Sequence, residues 1–409
     1  MEFKENFKKY KLKELSDISS SKRIFASEYK EKGIPFYRSK EIIEKQSNKR
    51  ISNKLFISKE RYIEIKNKYG VPSCGDLLLT SVGTLGVPYL VKNEEFYFKD
   101  GNLTWFRNLK QINKSYLYYW FFSPEAKYQI TSKQIGSTQK ALTISNLNDF
   151  EILIPTRAIQ EKIVTILKSL DSKIEINNKI ISNLESQAQA IFKSWFVDFE
   201  PFQDGNFVES ELGMIPEGWE VKELGEIINL YDNKRVPISK MDRDKMEKNY
   251  PYYGANGIID YVDNYLFDGK YLLMGEDGTV RTEEGFPILN YVDEKFWVSN
   301  HAHIMRGTLV STEYIYLLLS KMFINNIVTG AVQEKINQRN LKKIKIIFPE
   351  KKELESFEKI IEPMFKMKLY LNNQNTKLAE LRDALLPKLM AGEIDVSNIK
   401  IEGEEVKNE

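Results

Sequence analysis

One cysteine, Cys74, and two histidines, His301 and His303, are all that 409 residues offer of the side chains that build disulfides and most zinc sites. No intrachain disulfide can form, and no Cys/His metal set can be assembled from three such residues. The expectation is a reducing compartment, the cytoplasm. Long apolar runs are also missing: none approaches the roughly 18 consecutive apolar residues of a membrane span. The charged stretch from Met1 to Lys13 has no apolar segment behind it, so the chain is expected to be soluble and not exported. No Gly-x-x-x-x-Gly-Lys-Ser/Thr loop is present to cradle a nucleotide phosphate, and Gly83-Thr-Leu-Gly86 is too short a glycine pattern to count. What is present, 42% hydrophobic and 12% aromatic residues, is enough to give two to four domains a core each.

The chain reads as two copies of one plan. Tyr10-Lys-Leu-Lys-Glu-Leu-Ser-Asp-Ile18 matches Trp219-Glu-Val-Lys-Glu-Leu-Gly-Glu-Ile227. In the same order, Gly75-Asp-Leu-Leu-Leu79 parallels Gly269-Lys-Tyr-Leu-Leu273, and Tyr116-Leu-Tyr118 parallels Tyr314-Ile-Tyr316. Each copy closes alike: Gly136-Ser-Thr-Gln139 through Asn146-Leu147 to Pro155, and Gly330-Ala-Val-Gln333 through Asn340-Leu341 to Pro349, at one constant offset. Short apolar runs between Gly, Pro, Asn and Asp clusters predict short strands with a few helices, a mixed α/β globule of the α+β class in each copy.

A different pattern follows each closing proline. Ile163, Leu167, Leu170, Ile174, Asn177, Ile181, Leu184, Ala188, Ile191 and Trp195 step 4-3-4-3 with one polar interruption, Asn177. Phe357, Ile360, Met364, Met367, Leu371, Gln374, Leu378, Leu381 and Leu385 do the same around Gln374. Heptad stripes sustained over several repeats predict two long helices paired as a coiled coil, with a central amide fixing the register. Pro363 is expected to kink or break the second helix, and Pro387 with Gly392 to end it. The expected organisation is therefore 1–155 first domain, 156–199 first helix, 200–218 linker, 219–349 second domain, 350–392 second helix, and 393–409 a mobile acidic tail.

Charge is uneven beneath a near-neutral total of 60 basic and 58 acidic residues. Residues 1–155 carry 27 Lys+Arg against 17 Asp+Glu, a net +10, whereas 212–349 carry 17 against 19, a net −2. A globule at +10 suits a polyanion, because neutralising phosphates releases counterions. Polar and basic side chains able to read base edges cluster beyond Gly136 and Gly330. His301 and His303 alternate as they would on one strand face and read as polar groove residues more readily than as ligands. Glu276-Asp277 reads as a turn between glycines rather than a metal site. Asp293-Glu294-Lys295 fits half of a nuclease motif, but such a triplet arises easily where 29% of residues are charged.

Several motifs together resemble the specificity subunit of a type I restriction-modification system. They are Pro35-Phe-Tyr-Arg38, Leu142 to Pro155 with its following helix, Leu212-Gly-Met-Ile-Pro-Glu-Gly-Trp219, Pro251-Tyr-Tyr-Gly-Ala-Asn-Gly257, Gly275-Glu-Asp-Gly278 and Leu385-Leu-Pro-Lys-Leu-Met-Ala-Gly-Glu-Ile394, extending over nearly the whole chain. The resemblance implies two target-recognition domains, each followed by a long helix, the helices forming an antiparallel coiled coil that sets the gap between two DNA half-sites. It implies no catalysis and no cofactor in this chain. S-adenosylmethionine, ATP and Mg would belong to partners: two modification subunits and restriction subunits, acting with this chain on double-stranded DNA and not at a membrane. The absence of any Pro-Pro pair, which an adenine methyltransferase site would contain, agrees with that division of labour.

Residues expected at the DNA are Lys22, Arg23, Arg38, Ser81, Thr84, Gln139 and Lys140 in the first domain, and Lys234, Arg235, Tyr253, Asn256, Arg281, Gln333 and Lys335 in the second. Gln160, Lys193 and the segment from Trp195 to Asp198 are expected on exposed helix faces where modification subunits dock. Arg38 against Gly254, at matching places in the two copies, predicts an asymmetric target. The competing reading is a coiled-coil scaffold whose globules bind proteins.

Overall fold

A computed structural model describes residues 6–47, 51–136, 140–330 and 333–399. The chain divides into two compact units that cut across the linear domain plan. One comprises Met1–Glu175 with Thr376–Glu409, the other Ile176–Asn375, so each holds one globule and half of both long helices.

In the first unit Lys8–Lys11 pairs antiparallel with Glu151–Ile154, stitching the globule's entry to its exit. Between them lie a four-stranded sheet, ordered Asp17–Ser19, Leu103–Arg107, Leu77–Thr80, Pro88–Leu90, and a three-stranded one, ordered Leu55–Ile57, Ile34–Tyr37, Tyr97–Phe98. Leu77–Thr80 is buried on both faces: Leu77 and Leu79 enter one apolar cluster and Leu78 another. The second unit repeats this plan. Glu220–Glu223 pairs with Lys345–Phe348, and a six-stranded sheet runs Ile228–Leu230, Ala302–Gly307, Phe267–Gly275, Leu289–Val298, Tyr250–Gly254, Gly257–Val262. Leu272 and Met274 face one cluster there, and Leu273 faces another.

These pairings correct two sequence matches. The amide of Leu12 donates to Phe150 and that of Leu224 to Ile344. Leu12-Lys-Glu-Leu15 is thus the counterpart of Leu224-Gly-Glu-Ile227, and the shared Lys-Glu-Leu lies three residues out of register. Likewise Leu77 answers to Leu272, one residue away from the match through Gly75 and Gly269. A slip of one would have turned every strand side chain to the opposite face. The closing match stands at its constant offset: Asn146 donates to the Lys133 carbonyl, and Asn340 to that of Ile327.

The long helices span Arg157–Phe196 and Lys351–Met390, 40 residues each. In the second unit their halves run antiparallel, since Glu185 pairs with Lys368 and Asn177 meets Gln374 and Asn375. Asn177 is fully buried and donates to both amide oxygens at 2.8 Å, and Asn375 donates to Asn178 at 2.9 Å. The polar layer expected at Asn177 and Gln374 is there, widened to four amides. In the first unit Arg382 donates to Asp171 at 2.8 Å, and Tyr119 donates to the same carboxylate.

The seam of the second helix departs from the apolar count. Ile360, Met367 and Leu381 are exposed, while Ile361, Lys368 and Arg382 turn inward. Lys368 and Arg382 bury their stems and pair their charged ends, which a tally of apolar letters misses. Pro363 does not interrupt this helix, which runs through Pro387 and ends at Met390, with Gly392 at φ +66° just beyond it. Both Pro363 and Lys359, whose carbonyl loses its helical donor, are exposed residues, so the proline is accommodated away from the packed seam.

The segment expected as a linker, 200–218, and the start of the tail expected to be mobile are both packed. In 200–218 a hairpin of Phe207–Ser210 and Gly213–Pro216 follows Phe199 and Phe202, whose rings lie 5.6 and 5.0 Å from Trp219. Beyond Glu393, Val396 is fully buried among Leu12, Ile163, Leu167 and Leu389, and Lys162 donates to the Ser397 carbonyl. The tail from 400 onward lies outside the described residues. Gln160, expected on an exposed face, is 1% exposed: it accepts from the Asn113 amide and donates to the carbonyls of Gln111 and Pro155. Trp195 and Phe196 likewise belong to the second unit's core, which leaves Lys193 and Val197 exposed. Gln160→Leu should cost about 1–3 kcal/mol by stranding these buried groups. Denaturant unfolding and faster hydrogen exchange at the Asn113 amide would read this, and wild-type values for both would refute it.

Candidate nucleic-acid interface

The same backbone frame recurs at one edge of each globule. In the first, the amide of Ser81 donates to Asn102, that of Gly83 to Lys140, and that of Leu142 to Ser81. In the second, the amide of Glu276 donates to His301, that of Gly278 to Glu334, and that of Ile336 to Glu276. Each set lays a segment after the closing glycine, Gly136 or Gly330, across the loop that leaves the central strand. Gly83 and Gly278 both take positive φ, +79° and +83°, at the turn of that loop. Gly330, at φ +91°, has no room for a side chain, because a Cβ there would stand 2.2 Å from the Gln333 carbonyl. One frame thus carries different chemistry: Ser81, Thr104, Lys140 and Ala141 in one copy stand where Glu276, His303, Glu334 and Lys335 stand in the other.

In the first globule the frame brings several expected residues together. Asn102, which accepts from Ser81, also accepts from the Ser39 hydroxyl, while Arg23 pairs with Asp100 at 2.9 Å. The Lys22–Arg23 segment and the Thr84–Lys140 edge therefore flank one turn. Lys22, Arg23, Thr84 and Lys140 are exposed, Lys22 with its ammonium 4.6 Å from the Tyr69 ring centre. Arg38 is one-third exposed and committed to the buried Glu41, whose hydrogen bond holds its guanidinium above the usual range. Ser81 is a correction: it is 3% exposed, its hydroxyl against that of Thr104, so it supports the loop from beneath. Gln139 lies outside the described residues.

In the second globule Lys234, Asn256, Gln333 and Lys335 are exposed. Tyr253 is not: it is 8% exposed, packs on Phe296, and donates to Glu294, with burial raising its hydroxyl. Glu294 is thereby a partner of Tyr253 within the Asp293–Lys295 triplet. Arg281 is one-third exposed and forked onto Glu334, with Asn325 beside it. Arg235 is the clearest departure. Its side chain is 14% exposed and donates to Glu276 and to the carbonyls of Asn300 and Ala302, so it serves the fold where Arg23 faces solvent.

Beneath Arg235 lies a cluster that sequence reasoning missed. Asp232, Glu276 and His303 bring ligand-type atoms within 4.8 Å of one another. The group is already satisfied: Asp232 accepts from the Ile304 amide, His303 and Gln338, and Glu276 from Arg235 with Lys335 at 3.5 Å. Arg235 supplies the positive charge that an ion would bring. Burial alone would raise the Asp232 carboxyl, but hydrogen bonds from His303 and Ile304 and the charges of His303 and Arg235 hold it below the ordinary value. The alternation of His301 and His303 was the available signal. Only the fold shows that they part, His303 fully buried and His301 half exposed beside Asp277.

A duplicated globule with a long helix after each copy is the architecture of a tandem recognition protein. The chain belongs to the family whose model is described as the type I restriction modification DNA specificity domain, which matches residues 4–186 and 216–381. The MjaIX specificity subunit of a type I restriction enzyme from Methanocaldococcus jannaschii is 30% identical over 348 residues, covering 80% of this chain and 79% of that protein. The HindI specificity subunit from Haemophilus influenzae is 23% identical over 341 residues, covering 65% and 74%. A crystal structure of a type I restriction-modification system S subunit from M. genitalium shares the fold, with TM-score 0.56 at 15% identity over 94% of this chain and 96% of that one. Among the described residues no helix is long and apolar enough to cross a membrane.

Arg235→Ala should destabilise the second globule by about 1–3 kcal/mol, because it removes the nearest charged donor of the largely buried Glu276 and leaves Lys335 at 3.5 Å. Arg23→Ala should change stability by no more than about 0.5 kcal/mol. Thermal unfolding of the two variants side by side would expose an error in this assignment if their midpoints coincide.

Proposed function

We propose that this chain gives a type I restriction-modification complex its DNA sequence specificity, each globule reading one half of a bipartite, asymmetric target. The observation that carries the proposal is the shared backbone frame with unlike side chains, the arrangement expected of two readers built alike for different sequences. Exposed Lys22, Arg23, Thr84 and Lys140 supply the first reading edge, and Lys234, Asn256, Gln333 and Lys335 the second. Lys140 and Glu334 at matching positions carry the charge contrast to the edges themselves. The first reader leans on phosphate attraction, whereas the second depends more on hydrogen bonding and fit.

In this reading the chain catalyses nothing. Two modification subunits bring S-adenosylmethionine, and restriction subunits bring ATP and Mg. The paired helices are the platform for the modification subunits, and exposed Ile360, Met367, Tyr370 and Leu381 on the second helix offer apolar contact area.

Single-molecule mapping of methyladenine in cells carrying this chain and its modification subunit should show one split, asymmetric motif that vanishes when this chain is deleted. A motif that persists without the chain would leave the protein-binding scaffold as the better account. In the assembled complex Lys140→Ala should weaken binding to cognate and non-cognate duplex alike and lower the salt slope of log K by about 0.9. An unchanged slope would remove Lys140 from the phosphate contacts.

A further inference from the structure

The buried cluster of the second globule has a geometry that its counterpart lacks. His303 is fully buried on the strand Ala302–Gly307. Its Nδ1 lies 2.5 Å from an Asp232 carboxylate oxygen and its Nε2 lies 2.8 Å from the Ile336 carbonyl. Both partners are acceptors, so both ring nitrogens donate. The same Asp232 oxygen accepts from Gln338 Nε2 at 2.6 Å, and the other accepts from the Ile304 amide at 2.8 Å. Asp232 therefore holds the Ile336–Gln338 segment at two points, one through His303 and one directly. The reading residues Gln333 and Lys335 lie immediately upstream of that segment, and the Lys335 ammonium reaches back to Glu276.

The first globule builds the same edge without this device. Thr104 stands where His303 does, Leu142 where Ile336 does, Ile144 where Gln338 does, and Ser81 where Glu276 does. Among the described residues, the strand and the loop meet there through the hydroxyls of Ser81 and Thr104. The backbone frame needs no such clamp to form, since the first copy forms it with hydroxyls alone. A clamp of buried charged groups is costly to assemble and is rigid once satisfied. Its place, directly under the loop that varies between the copies, gives that rigidity a use.

We infer that Asp232, His303 and Gln338 are positioning residues that hold Gln333 and Lys335 in reading register, so that they set discrimination at the second half-site without touching DNA. The inference rests on the reading of Gln333 and Lys335 as DNA contacts. His303→Thr and Gln338→Ile, each installing the first globule's residue, release one tether apiece. Gln338→Ile leaves the Asp232–His303 pair intact, so it remains informative where His303→Thr fails to fold.

The test uses the chain assembled with its modification subunits. Affinity is measured for the mapped target, for a duplex altered only in the first half, and for one altered only in the second. The preference for the correct second half should fall on the order of tenfold in both variants, while the first-half preference is kept. Hydrogen exchange at the Ile336 and Gly278 amides should quicken. Preferences at both halves that match wild type overturn the inference, as does an equal loss at both halves, which would mark a general folding defect. Gln333→Ala and Lys335→Ala separate the two levels. If they erode second-half preference while the clamp variants do not, the inference alone fails; if no variant does, this loop does not read DNA.

Discussion

Everything distinctive in each unit hangs from one pair of short antiparallel strands. Lys8–Lys11 against Glu151–Ile154, and Glu220–Glu223 against Lys345–Phe348, bring the first and last residues of a globule side by side. A long helix leaves directly from the exit strand. Because entry and exit are fixed to each other by backbone hydrogen bonds, the residues between them can change without redirecting the helix. The four-stranded and six-stranded sheets of the two globules illustrate the freedom this allows.

Within that freedom one part of the interior is conserved in geometry between the copies: the edge where a loop from the central strand meets the segment after the closing glycine. Three equivalent backbone hydrogen bonds define it in both. Backbone bonding of this kind is indifferent to side-chain identity, so the exposed positions on it can be rewritten at little cost to the fold. What lies beneath is less free. Ser81 with Thr104, and Glu276 with Arg235, Asp232 and His303, are each mutually satisfied sets, so exchanging one member costs the hydrogen bonds of the others.

The duplication, the long helices and the central amides were legible in the sequence because each depends on local spacing. Asn177 and Gln374 stood out as single polar letters in apolar stripes, and they do meet. Where the reading failed, tertiary partners decided. Lys368 and Arg382 sit inward because Glu185 and Asp171 await them across the helix pair. The Lys-Glu-Leu match misled because identity of three letters outweighed the strand pairing that fixes the register. Arg23 and Arg235 look alike in sequence, and the bonds of Arg235 to Glu276 and to the carbonyls of Asn300 and Ala302 tell them apart. At the candidate site the loops were found through their glycines and polar composition, whereas buried Ser81 and Tyr253 and the internally bonded Arg235 could not be told from exposed residues of the same kind.

The core of the first unit bears on how the protein comes into being. Leu386, Leu389, Met390 and Val396 share one apolar cluster with Leu12, Leu15, Ile163 and Leu167. The second unit draws on the unbroken stretch Ile176–Asn375. During synthesis the ribosome therefore releases every residue of the second unit before the first has received its last core side chains. The part made first is finished last, and the first globule keeps an open apolar face until Leu386 to Val396 have emerged.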